Sequence, residues 1–270
     1  MTPVQKAVKY LAIALAVFLI FGIISGIMSA VGAIFGVFQT DGVTDELTVY
    51  EVSEQVTELE IEVNAANFTI KTADRFSVES NLKYLTVEEK DGTLVIKDRK
   101  KNGVRFDNPV LTLYVPKETV FEYVTITTGA GKLQIDLLST NELQLTLGAG
   151  EVKIDKLCAQ QSATIEGGTG AITIRDGSLT DLELQMGVGQ LDMTAALYGD
   201  SFMQLGVGQT DLTVLCAKEQ YSIEIEKGLG SITVDRTSVD GDYHFGDGED
   251  RLEIEGGIGS INLKFAPTEE

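Results

Sequence analysis

The chain has 270 residues and a mass of 29.1 kDa, with 43% apolar residues, 28 glycines, 4 prolines and no tryptophan. Its 21 basic and 41 acidic residues give a formal charge of −20. So much apolar content excludes a disordered chain, and so acidic a balance excludes a nucleic-acid binder, which needs a basic footprint.

Lys6 and Lys9 are followed by no charge until Asp41. A helix rises about 1.5 Å per residue, so an apolar run of this length is enough to cross a bilayer. The basic residues precede the run and Asp41, Asp45 and Glu46 follow it, which places the N-terminus in the cytosol and the rest outside. The expected division is a cytosolic N-terminus at 1–9, a transmembrane signal anchor at 10–38, an acidic linker at 39–56, a β-domain at 57–265 and a tail at 266–270. A cleaved signal peptide is the competing reading, but its apolar core would be shorter. Gly22, Gly26 and Ala30 recur at four-residue spacing, as do Gly32 and Gly36, a pattern that lets two membrane helices approach. Beyond the anchor stand 19 basic residues (21 less Lys6 and Lys9) against 41 acidic, a charge of −22. Such a surface repels anionic polymers and suits divalent cations or cationic partners.

The exposed part repeats itself. The pairs Gly129/Gly131, Gly148/Gly150, Gly168/Gly170, Gly187/Gly189, Gly206/Gly208, Gly228/Gly230 and Gly257/Gly259 all read G-x-G, at spacings of 19, 20, 19, 19, 22 and 29. Alternating apolar residues follow most of them, such as Leu133/Ile135, Val152/Ile154 and Ile172/Ile174. Asn64 and Ala66 take the glycine places in a degenerate earlier copy. Period two means strands with one buried face, and a recurrence near twenty means stacked units sharing one core. The glycines mark a corner where stacked backbones leave no room for Cβ. The expectation is an all-β, single-domain β-solenoid of about 20 residues per coil, preceded by one transmembrane helix. About ten coils at one inter-strand spacing each make a rod on the order of 50 Å.

Residues 71–120 are less regular, with strand candidates at 93–97 and 110–115 and a charged loop at 98–108. The segment 240–251 enlarges the last spacing. Both read as atypical terminal repeats that cover the ends. Cys158 and Cys216 each lie eight residues past a second glycine. They are therefore expected in one phase, three coils or about 14 Å apart, too far for a disulfide.

Chemistry is sparse. No Lys-Ser/Thr follows a glycine pair and no helix opens after one, so nucleotide binding is not expected. Gly167-Gly168-Thr169-Gly170 and Gly256-Gly257-Ile258-Gly259 approach a calcium nonapeptide, but Ile172 and Ile261 occupy its aspartate place. His244 is the single histidine and builds neither a zinc site nor a triad by itself. Stacked acids are weak candidates for calcium: Asp192 and Asp211 in adjacent coils, and Asp240, Asp242 and Asp247 in a terminal loop. No cofactor and no catalytic residue is expected.

The anchor, the strand Leu111-Thr112-Leu113-Tyr114-Val115-Pro116 and the G-x-G-x-[LIV]-x-[ILV] ladder together resemble the bacterial putative-adhesin family, domain of unknown function 4097, over roughly residues 55–265. The resemblance implies a membrane-tethered β-solenoid and supplies no catalytic residue. The functional expectation is a non-enzymatic, extracytoplasmic protein for cell-surface interaction or envelope sensing and scaffolding. Its partners would be the membrane and an envelope or cell-surface protein or glycan. The alternative is a polysaccharide-active enzyme on a β-helix, which needs two carboxylates facing each other across a cleft.

Overall fold

A computed structural model describes residues 42–53, 55–99 and 108–267. The expected cytosolic N-terminus and transmembrane segment lie outside these residues, as do 268–270 of the tail. Among the described residues no helix is long and apolar enough to cross a membrane.

The described chain is all-β. Its strands are β1 (Val43–Glu51), β2 (Glu58–Ala73), β3 (Ser77–Leu82), β4 (Leu85–Lys90), β5 (Thr93–Asp98), β6 (Val110–Pro116) and the continuous run β7 (Phe121–Ile174). They continue as β8 (Gly177–Thr180), β9 (Leu182–Tyr198), β10 (Asp200–Val214), β11 (Tyr221–Glu226), β12 (Leu229–Val234), β13 (Thr237–Val239), β14 (Tyr243–Phe245), β15 (Asp250–Glu255) and β16 (Ile258–Phe265). One short 3-10 turn, Lys218–Gln220, precedes β11. All sixteen strands join one sheet.

The coils stack in parallel. Leu59, Ile61 and Val63 of β2 pair with Val124, Ile126 and Thr128 of β7. Leu184 pairs with Ile165 on one side and Met203 on the other. The central coils have a side before the glycine corner, a side after it, and a third side that carries residues such as Leu157–Ala159, Gly177–Leu179 and Ala196–Tyr198. Alternation sends every second residue inward, so Leu145, Ile165, Leu184, Met203, Ile254 and Ile225 make one unbroken apolar column, each buried. No single coil could bury that face alone.

The two ends depart from sequence order in the same way. At the start of the stack, β5 and β6 lie on the outer side of β2, although β2 precedes them in the chain. The hairpin partners β4 and β3 then run antiparallel on β5 and β6 and cover them. At the far end, β15 and β16 insert between β10 and the coil β11–β12. There β13 and β14 run antiparallel on β12 and β11. Each end is thus closed by antiparallel strands that lie, in sequence, between its two outermost coils. The reversal cannot continue the parallel ladder, which is how the stack stops.

Three expectations change. Residues 39–56 contain no free acidic linker over 43–51, because β1 pairs antiparallel with β3 and completes the first cap. The run Leu47-Thr48-Val49-Tyr50 is β-branched and aromatic enough to make a strand despite its acidic neighbours. The Gly228 corner does not follow the Gly206 corner in space, since the Gly257 corner lies between them. Cys158 pairs with Ser178 and Ser178 with Ala196, whereas Cys216 Sγ lies 3.9 Å from the Leu197 carbonyl. The register from Ser178 to Ala196 advances 18 residues (196 − 178), not 19, so Cys216 falls in the inward row of Leu179 and Leu197. Both cysteines are free thiols.

Candidate functional site

The glycine corner is the most regular surface feature. The second glycines, Gly131, Gly150, Gly170, Gly189, Gly208, Gly230 and Gly259, have φ between +122° and +153°. A Cβ on Gly150 would fall on the Gly131 carbonyl oxygen, one on Gly170 on that of Gly150, and so on through Gly189, Gly208, Gly259 and Gly230. The first glycines repeat this contact: Gly129 meets Asn64, then Gly148, Gly168, Gly187, Gly206, Gly257 and Gly228 follow in that spatial order. Asn64 and Ala66 end the column, and Ala66 pairs with Gly131 in the position read for it from the repeat.

Polar side chains stand in rows on the flat side after the corner. Asp192 pairs with Asp211, and Asp211 with Asn262. Asn262 Nδ2 donates to Asp211 Oδ1 at 2.7 Å, and Gln209 Nε2 donates to Oδ2. Amide donors therefore answer the stacked charge that suggested calcium. Asp240, Asp242 and Asp247 all lie exposed at the far cap, where Asp242 Oδ1 accepts the Lys227 N–H at 2.7 Å. Among the described residues, no three of His, Cys, Asp and Glu gather as a metal site. His244 stands on β14 with Nδ1 3.9 Å from Glu224.

The far cap is held by a charge among rings. Lys218 Nζ lies 3.0 Å from Asp235 Oδ2 and 4.5 Å from the Phe245 ring centroid, with Tyr243 and Phe265 at 5.6 and 5.8 Å. Asp235 Oδ1 also accepts the Phe265 N–H at 3.0 Å. Burial pushes the Asp235 carboxyl up, but the Phe265 N–H and the Lys218 ammonium together outweigh it and hold it below the ordinary value. A carboxyl lowered in the folded state stabilises fully above its unfolded value and loses that contribution as pH falls through the folded one. Asp235→Asn is therefore expected to lower the melting temperature at pH 7, and the gap from the parent should narrow as pH falls below the ordinary carboxylate range. Thermal melts of both chains from pH 7 to below that range check it; a constant gap would refute the ionic role.

Beneath this cap Tyr221 is fully buried and donates its hydroxyl to the Leu197 carbonyl. Burial raises its phenol far above the usual tyrosine value, helped by the neighbouring Cys216. Tyr221→Phe removes the hydroxyl donor, leaves that carbonyl only the weak Cys216 thiol, and is expected to cost about 1–2 kcal/mol, read from the denaturant midpoint.

A parallel ladder of glycine-cornered coils between antiparallel caps defines a β-solenoid domain. Within that class the chain belongs to the Toastrack DUF4097 family, which it matches over residues 56–256. Among curated proteins none matches it. Solved structures similar to it include a putative adhesin from Bacteroides fragilis at 15% identity, covering 82% of this chain and 98% of that one with a TM-score of 0.45. A putative lipid binding protein from Parabacteroides distasonis shares 17% identity over 82% of this chain and 98% of its own, with a TM-score of 0.34. A putative cell adhesion protein from Clostridium sporogenes shares 14% over 82% and 99%, with a TM-score of 0.30. Likenesses of this strength say nothing about what the present chain binds.

The sequence reading missed the Lys218–Asp235 cluster. Its members come from separate segments of the chain, and only the reversal of the last two coils brings Phe265 beside Asp235. No local spacing could have announced it.

Proposed function

We propose that this is a non-enzymatic protein of a bacterial cell surface, a stiff β-solenoid held outside the cytoplasmic membrane by residues 10–38 with residues 1–9 in the cytosol. Its flat polar sides meet an envelope or cell-surface protein or glycan, as a binding or scaffolding surface. The observation that supports this is the division of the chain: no charge between Lys9 and Asp41, then an acidic domain whose outward residues repeat coil after coil. A long apolar segment flanked in this way is an anchor with its acidic side outside. The stacked Asp192 and Asp211 face outward from a flat side with Asn262, an arrangement suited to surface contact.

The test compares the full chain with one lacking residues 10–38 in intact cells. The full chain should stay with membranes through alkaline carbonate extraction, and added protease should cut its domain without lysis. The shortened chain should be extracted. A full chain extracted by carbonate, or one protected from protease until lysis, would overturn the reading.

A further inference from the structure

Charged residues make up 23% of the chain, yet one strip has none. Residues 167–171, 186–190, 205–209 and 256–260 contain no Asp, Glu, Lys or Arg. They stack in register as four consecutive layers of the glycine corner. The residues between the glycines, Val188, Val207 and Ile258, continue into Leu229 of the next layer. Val207 and Leu229 are each 38% exposed. With glycine on both sides, this apolar ridge has no neighbouring side chain along its own strands to cover it. Exposed apolar surface in a contiguous run marks a contact face.

A second observation says what it meets. The chain enters the domain at the head of this same corner. The Gly42 carbonyl accepts the Lys83 N–H at 3.3 Å, and the Tyr84 carbonyl accepts the Arg99 N–H at 3.1 Å. The turn Lys83-Tyr84 lies across the corner of β2, since Asn64 Nδ2 bonds the Asp98 carbonyl and the Asn67 N–H bonds the Pro109 carbonyl. Tyr84 is 42% exposed there, an amphipathic ring of the kind enriched at lipid interfaces. The apolar stretch 10–38 is therefore tied to the end of the corner column, and the layers of Gly148, Gly129 and Asn64, two of which carry the ion-paired Glu151 and Lys132, stand between it and the uncharged strip on the same edge.

We propose that the solenoid reclines on the bilayer, with the Val188–Val207–Ile258–Leu229 ridge and Tyr84 in the interface of an uncharged lipid surface. This rests on the reading of residues 10–38 as a bilayer anchor. Lying on this strip buries apolar residues while leaving the acidic sides in water, where desolvating them would be costly.

The absence of tryptophan makes the test direct. The full chain is reconstituted into phosphatidylcholine vesicles carrying a shallow nitroxide-labelled lipid, with one tryptophan at a time: Val207→Trp, Leu229→Trp, Tyr84→Trp, or Tyr198→Trp on the third side. Far-UV circular dichroism and melting confirm that each variant keeps the parent fold. The Val207→Trp, Leu229→Trp and Tyr84→Trp chains should each lose about half their emission or more, and the Tyr198→Trp chain should not. Quenching in the Tyr84→Trp chain alone would mean that the stack stands upright and would overturn the proposal. A blue shift without quenching in the Val207→Trp chain would assign the ridge to a protein contact and overturn it too. Flotation of the same vesicles separates the two readings. A chain that does not float defeats anchor and docking together, while a floating chain with no quenching at positions 207 and 229 defeats docking alone.

Discussion

Gly189→Val is expected to abolish the native fold, with a cost above about 4 kcal/mol, beyond the range of ordinary point substitutions. Two terms add. The backbone at Gly189 has φ +146°, which valine rarely adopts, and its Cβ would coincide with the Gly170 carbonyl oxygen. Neither can relax alone, because Gly170 is itself stacked on Gly150 and Gly208 stacks on Gly189. Two controls separate the terms. Gly241 has φ +103° with nothing within 4 Å of a built Cβ, so Gly241→Ala should show only the conformational cost, about 1–2 kcal/mol. Val188→Ala shares the corner but points outward, and should change stability by about 0.5–1 kcal/mol. Urea titrations followed by circular dichroism rank the three. A Gly189→Val chain with parental stability would show that the corner is not closed.

That column was legible because it rests on periodicity. Period-two apolar residues flanking G-x-G can be satisfied only by strands meeting at a tight corner, and the Asn64/Ala66 copy found its place by the same rule. The caps were less legible. Asp91-Gly92, with φ of +51° and +87°, joins β4 to β5, and a two-residue Asp-Gly between alternating stretches is a strong hairpin signal. Residues 85–98 thus contained their turn, hidden by the expectation that irregular spacing means irregular structure. Asp235-Arg236, with φ of +47° and +67°, turns the chain between β12 and β13 but lacks the glycine that would announce it. The uncharged strip was present in the letters of each corner. Its continuity was not, because Val207 and Ile258 are paired across 51 residues (258 − 207). Nothing in a one-dimensional spacing distinguishes that neighbour from Leu229.

Ending the chain after Glu249 tests this layer order with the second large effect. If the coils stacked in sequence order, the cut would remove the outermost coil and leave β11–β12 on β10. In the structure, β15 and β16 are an interior layer, paired with β10 on one side and with β11 and β12 on the other. Their loss separates β11–β14 from the stack. It also takes Leu252, Ile254, Ile261 and Leu263 out of the core, and it removes Phe265, whose N–H and ring hold Asp235 and Lys218. Truncating one such large side chain to alanine already costs about 2–5 kcal/mol, so the whole far cap should unfold. Trypsin reads this out at Lys218, Lys227 and Arg236. In the full chain, Lys218 is largely covered, with 20% of its side chain exposed, and lies in a cap closed by β13 and β14. In the shortened chain, all three bonds should be cut early, while Lys153 within β7 and Arg175 just past its end keep their protection as long as the central coils stand. Slow cleavage at Lys227 and Arg236 in the shortened chain would mean that β11–β12 can close directly on β10, and that the inserted coil is dispensable to the ladder.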